Sequence, residues 1–313
     1  MGERLTVSMS PHIHSGSSTK RIMQDVIIAL IPAAIASVFI FGFRAIAVLV
    51  VTISAAILAE MLSRMVMKRD PKSVFDCSAV ITGLLLGLSL PVTIPLWMAA
   101  LGSAIAIVVV KEMFGGLGQN FVNPAMAGRV VLLLSYPAAM SAAWANPVRT
   151  AGIDAIASAT PLAALANGEL SQPLSELFFG LHPGSMGETS IFALFLGGIY
   201  LVWRRVISPV IPLTFIGTTL IFVLITGGDP IAHLLTGSLV FVAIFMATDY
   251  ATSPLHRKGR IVFAIGCGLI TGLIRQFAAL PEGVSFAVII MNILVPHIER
   301  LTTPVIFGST KRG

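Results

Sequence analysis

The chain has 313 residues, of which 56% are hydrophobic and only 11% charged, and its mean hydropathy is +0.94. An ordinary soluble domain is about 25% charged, and a water-soluble fold of this size could not cover such a surface with polar groups. These values exclude a soluble enzyme, a disordered chain and a disulfide-stapled secreted domain, and define an all-α polytopic membrane protein. The net charge of +6 invites a nucleic-acid reading, but in membrane proteins Lys and Arg collect in cytoplasmic loops, so no nucleic-acid partner is expected. Cys77 and Cys267 sit in apolar surroundings with no CxxC or Cys/His spacing, so neither a disulfide frame nor a metal centre is expected. The first 20 residues are polar and no cleavable signal peptide is visible.

A membrane span needs about 20 apolar residues, fewer where a half-helix is buried in protein. Ten candidates follow in order: 23–42, 46–63, 77–90, 95–113, 124–136, 190–203, 209–226, 231–248, 261–275 and 283–299. Those at 77–90 and 124–136 are too short to cross alone. With the N-terminus cytoplasmic, ten spans place 17 of the 20 basic residues inside and only Arg44, Arg149 and Arg275 outside. The positive-inside rule therefore predicts a multi-pass protein of the cytoplasmic (inner) membrane with both termini cytoplasmic. The expected organisation is a tail over 1–22, a first membrane repeat over 23–136, an extracytoplasmic loop over 137–189, a second repeat over 190–299 and a tail over 300–313.

The repeat is suggested by Thr82-Gly83 and Thr236-Gly237, each of which opens an apolar stretch. Each leads, one span later, to a charged helix end, Lys111 and Arg275. An offset of five spans makes the halves inverted, a plan used by transporters with broken helices.

Four segments could carry chemistry. Pro11-His12-Ile13-His14 offers two imidazoles without a third ligand nearby, which reads as a solvated tail rather than a metal site. In the run from Lys111 to Arg129, Gly115, Gly116 and Gly118 allow close backbone approach, Asn120 and Asn123 present amides, and Pro124 starts a short helix. Irregular backbone at that depth is tolerated where it lines a cavity, so this is a candidate site for a flat polar heterocycle; without its glycines placed after a strand it is no dinucleotide fold. In the stretch from Asp154 to Leu162, Thr160 followed by Pro161 reads as a helix N-cap. In Met246–Pro254, Asp249 ends an apolar span, where a charge is costly and often functional. Asp25 and Glu60 sit similarly, and the three are candidates for an ion path.

Together these segments resemble the family that holds the D-type membrane subunit of Rnf electron-transport complexes and the B-type subunit of sodium-translocating NADH:quinone reductases. The resemblance runs from Ser10 to Pro296. It is carried by SPHIHS, ALIPA at 29–33, KEMFGGLGQNFVNPAMAGR at 111–129, SATPL at 158–162, HPGSMGETS at 182–190 and MATDYATSP at 246–254. The short N-terminal tail is more similar to the Rnf D-type subunit.

The resemblance implies a fold similar to urea and ammonium channels. It also implies FMN joined through its phosphate to a threonine outside the membrane. The flavin-transfer signature falls on Asp154, Ser158, Ala159 and Thr160, with Thr160 the attachment residue. A second, noncovalent flavin, riboflavin, would be held by Asn120 and Asn123, with Trp144 as a stacking partner. The implied role is a redox subunit of an ion-translocating oxidoreductase. It would relay electrons in a ferredoxin- and NAD-linked chain coupled to Na⁺ or H⁺ movement. Its partners would be the A, B, C, E and G components of the Rnf complex, a flavin transferase for maturation and membrane lipid. The rival readings are the quinone-reductase subunit, which predicts a quinone pocket near the early spans, and a channel or permease of the same fold without redox work, which predicts an unmodified Thr160.

Overall fold

The computed structural model describes residues 18–69, 76–141, 144, 145, 147, 160–166, 172–188, 190–278 and 283–304. Every regular element among them is helical. They are α1 (Thr19–Phe41), α2 (Phe43–Val66), α3 (Ser78–Ser89), α4 (Leu96–Ile105) with a π-helical continuation over Ala106–Glu112, α5 (Pro124–Ser135), α6 (Pro137–Ser141), α7 (Pro161–Ala166), α8 (Leu174–Phe179), α9 (Ile191–Trp203), α10 (Val210–Ile225), α11 (Pro230–Leu235), α12 (Leu239–Phe245), α13 (Arg257–Phe277) and α14 (Gly283–Thr302). Four of these, α1, α2, α13 and α14, are long and apolar enough to cross a membrane; α3, α5, α9 and α10 are shorter apolar helices. At about 1.5 Å per residue, the 23 residues of α1 reach about 35 Å, enough for a hydrocarbon core of about 30 Å.

Local chemistry sets the helix ends. Ser18 caps α1 by accepting a hydrogen bond from the Arg21 N–H at 3.3 Å. Gly42, at φ 75°, turns the chain between α1 and α2. Pro124 stands at the first helical position of α5, as expected, and Asn123 caps the helix through the Met126 N–H. The expected span over 231–248 is instead two short helices, α11 and α12, separated at Thr236–Ser238 with Gly237 at φ 70°. Thr236-Gly237 does open α12, whereas Thr82-Gly83 lies one turn inside α3. Breaking a helix at membrane depth frees carbonyls that must find donors. Here Arg275 supplies them, its guanidinium donating to His233 O at 2.6 Å and Thr236 O at 3.1 Å.

The packing repeats. α2 packs on α3 and α4, as α10 packs on α12 and α13; α1 meets α3 as α9 meets α12; α5 meets α3 and α4 as α14 meets α12 and α13. The two sets join through like elements, α1 against α9 and α5 against α14. A Cβ built at Gly197 would overlap Ala29 O, so α9 approaches the α1 backbone too closely for any other residue.

The sets are also inverted. Hydrogen bonds and shared lining residues define two ends. One end gathers the start of α1, the end of α2, the π-helix end, the start of α5, the end of α9 and the starts of α10 and α13. The other gathers Arg44, which donates to Val92 O and Thr93 O; residues 186 and 187, whose N–H groups donate to Leu90 O and Leu88 O; and Leu162, which lies against Gly237 beside Arg275. The π-helix therefore finishes at the first end and its counterpart α13 at the second. The first is the basic end, where Arg204, Arg205, Arg257, Lys258 and Arg260 collect. Large apolar side chains such as Phe39, Phe43, Leu213 and Ile225 stand exposed around the perimeter, where lipid meets them.

Candidate functional site

The basic end encloses a cavity of about 280 Å³. Its walls are largely apolar: Ile22, Met23 and Val26 of α1, Ile81 and Leu85 of α3, Leu201 of α9 and Phe245 of α12. A few polar groups converge on it, among them Ser78, Thr82, Lys111, Asn120, Asn123, Thr248 and Asp249. Apolar walls with a small number of placed donors and acceptors are the usual make-up of a small-molecule site. The segments 111–129 and 246–254, far apart in the chain, thus meet on one surface.

Asn123 is committed to structure on both atoms of its amide: Oδ1 caps α5 and Nδ2 donates to Met246 O at 3.2 Å, tying the two segments together. Asn292 of α14 completes the tie. With its amide oxygen toward Asn123, it accepts from the Asn123 N–H at 3.1 Å, and its nitrogen donates to Thr252 O at 3.0 Å. Asn120 donates to Val122 O at 3.1 Å and keeps its amide beside Asp249.

Asp249 lies in the connection after α12. It accepts from the Thr252 hydroxyl at 3.1 Å and, more weakly, from the Ala251 N–H at 3.5 Å. Burial pushes its carboxyl above the usual range, while hydrogen bonds from Thr252, Ala251, Asn120 and Tyr250 pull it back.

Thr160 sits at the opposite end. Its hydroxyl oxygen accepts from the Ala163 N–H at 3.2 Å and its carbonyl from the Ala164 N–H at 3.0 Å, so it caps α7 as expected. The residue is 8% exposed. Asp154, Ser158 and Ala159 lie outside the described residues. Thr160 and the asparagine pair are therefore not brought together. From Arg257 to Arg275, α13 runs between their two ends, a rise of about 27 Å over 18 residues. Trp144 is buried. It follows α6 on the far side of α5 from Asn123, and it does not line the cavity.

The other two ion-path candidates, Asp25 and Glu60, are ion-paired. Asp25 takes the Arg204 guanidinium on both oxygens, at 3.3 and 3.2 Å, and the Tyr200 hydroxyl at 2.9 Å, fastening α1 to α9. Glu60 takes Arg64 and Lys111, both at 2.8 Å, and Arg64 reaches Glu112 at 3.2 Å. Lys111 also donates to the Ser78 hydroxyl at 2.5 Å. Two acids and two bases thus form a buried neutral cluster against the start of α3. Lys111 is buried there, at the end of the π-helix, where a charged helix end was expected. Arg129, expected among the cytoplasmic loop charges, is instead buried inside α5 and donates to Ser89 O. Sequence reasoning missed the roles of Arg64 and Glu112. The signal was present in the i, i+4 spacing of Glu60 and Arg64 within an apolar helix and in the adjacent charges Lys111-Glu112, since charges inside spans pair with one another.

A helical inverted-repeat membrane protein with a mixed-polarity cavity at one end is the class that this fold and site define. A family model described as "NQR2, RnfD, RnfE family" matches residues 6–308, and the chain belongs to that family. It is 46% identical over 311 residues to the D subunit of the Na(+)-translocating ferredoxin:NAD(+) oxidoreductase complex of Acetobacterium woodii, covering 98% of this chain and 96% of the relative. It is 42% identical over 323 residues to the D subunit of the proton-translocating ferredoxin:NAD(+) oxidoreductase complex of Clostridium ljungdahlii, covering 98% and 97%. To the D subunit of the ion-translocating oxidoreductase complex of Stutzerimonas stutzeri it is 36% identical over 336 residues, covering 95% and 94%.

Proposed function

We propose that this chain is the D-type membrane subunit of a multi-subunit ion-translocating ferredoxin:NAD⁺ oxidoreductase, and that it holds two flavins, one at each end of the membrane. The relatives' names support the complex. Two of them differ in their ion, Na⁺ in one and H⁺ in the other, and Na⁺ or H⁺ would be the ion moved here.

The observation that carries the flavin reading is the convergence of 111–129 and 246–254 on one cavity. Its size, apolar walls and edge of amides and hydroxyls fit a flat heterocycle with polar rims. Asn120 would meet such a ring directly, while Asn123, spent on α5 and Met246, would shape the wall. Trp144 has no place in this reading. At the other end Thr160 would carry FMN as a phosphoester. Its oxygen is an acceptor in the cap and, among the described residues, its O–H donates to no partner, so that proton can leave without breaking the helix end.

A bound flavin supplies reversible one- and two-electron chemistry. The chain's own residues position and insulate it. The apolar walls exclude water from the ring face. Asp249, held by hydroxyl and amide partners and not by a cation, is the acid that faces this cavity, whereas Asp25 and Glu60 are committed to ion pairs. Electrons passing between ends so far apart would use cofactors on partner subunits.

The test is to denature the purified protein in acid and measure released and protein-bound flavin separately. Asn120→Ala should lose most of the released flavin and keep the bound fraction. An equal loss of both, or of neither, would contradict the two-site reading.

A further inference from the structure

A second cavity of about 420 Å³ opens at the basic end beside the first, sharing Val206, Ile207, Thr248 and Tyr250 as a common wall. Its lining includes Arg205, Arg260 and the hydroxyl-bearing Ser208, Tyr250 and Ser253, and, among the described residues, no acidic one. The carboxylates around it are already engaged: Asp249 accepts from the Thr252 hydroxyl, Glu299 from the Leu255 N–H, and Asp25 from the Arg204 guanidinium.

Three further observations point to an anion. Arg205 is one of only three non-glycine described residues at positive φ, 57°, a conformation held at a cost. Tyr250 braces that turn by donating to Val206 O. Arg260 stands in the first turn of α13, where there is no acid and the helix dipole favours a negative partner. The start of α10, at Pro209 and Ile211, forms part of the same wall and adds a second positive helix end.

We propose that this cavity binds the phosphate headgroup of an anionic phospholipid, with Arg205 and Arg260 as its ligands. A lipid is favoured over a soluble anion by the surroundings. Val202, which lines the cavity, and Trp203 beside it are exposed on the perimeter of α9, and Leu255 is exposed near Arg260. Acyl chains leaving the cavity meet that apolar surface. Basic pockets between membrane helices are suited to such headgroups, and a Trp at the rim marks the interfacial level. The site's two ligands, Arg205 and Arg260, do not line the cavity proposed for the flavin.

The test uses the full chain in detergent, titrated with phosphatidylglycerol or phosphatidylcholine, with retained lipid counted by native mass spectrometry. Phosphatidylglycerol should be retained and phosphatidylcholine not. Arg205→Gln or Arg260→Gln should weaken retention about fivefold each, and the double variant about 25-fold. Arg205→Lys, which keeps the charge, should retain it. Arg257→Gln with Lys258→Gln, exposed neighbours outside the cavity, should bind as the parent does. The proposal is overturned if the double variant, melting at the parent temperature, retains the lipid undiminished. It is equally overturned if the neighbour pair loses as much, which would mean a diffuse basic surface. Displacement of the lipid by millimolar inorganic phosphate would overturn the lipid assignment in favour of a free-phosphate site.

Discussion

Glu60 illustrates how a buried charge is kept in this protein. Its side chain is fully buried and holds two cations, Arg64 and Lys111, while Arg64 also reaches Glu112. Removing one member of such a set strands the others in a low dielectric, at about 3–5 kcal/mol, whereas removing a matched pair costs far less. Glu60→Gln should therefore lower the melting temperature of the purified protein sharply. Glu60→Gln combined with Lys111→Met should recover much of that loss. Equal melting of the single and double variants would contradict the pairing. Asp25 makes the contrast. Its partner Arg204 is about one-third exposed, so Asp25→Asn should cost only about 1 kcal/mol in the same melts.

At the scale of elements, small residues decide how closely helices meet. Gly197 lets α9 reach the α1 backbone at Ala29 O. Gly197→Val should force α1 from α9 and abolish a stable monodisperse protein in size-exclusion chromatography; a variant that behaves and melts as the parent would show that the contact is not needed. The long helices were legible because apolar runs of 15 to 20 residues admit few other readings, and Pro124 announced the start of α5. The break between α11 and α12 was not legible as a break. Ile231–Met246 reads as one span because Thr236-Gly237-Ser238 is its only polar interruption beside His233, and what satisfies the carbonyls freed by the break is Arg275, some forty residues later, whose guanidinium donates to both. A partner so remote leaves no local signature. The same limit hid the burial of Arg129, whose acceptor Ser89 is on α3.

At the scale of the whole molecule, the inverted pairing of α1 with α9 and α5 with α14 gives the protein two unlike ends. One holds the cavity formed by Asn120, Asp249 and their neighbours; the other holds Thr160. The convergence of 111–129 with 246–254 was not readable from either segment alone, because Asn292 and Asn123 do the joining across three helices. The distance between the ends makes the two proposed flavins independently removable. The most direct measurement is flavin fluorescence of the chain in a denaturing gel after expression with an active flavin transferase, beside Thr160→Ala, with acid-released flavin measured on the same samples. A fluorescent parent band, a dark Thr160→Ala band and unchanged released flavin are the predicted result. A dark parent band, with the transferase active on another substrate, would contradict it and return Thr160 to a helix cap alone.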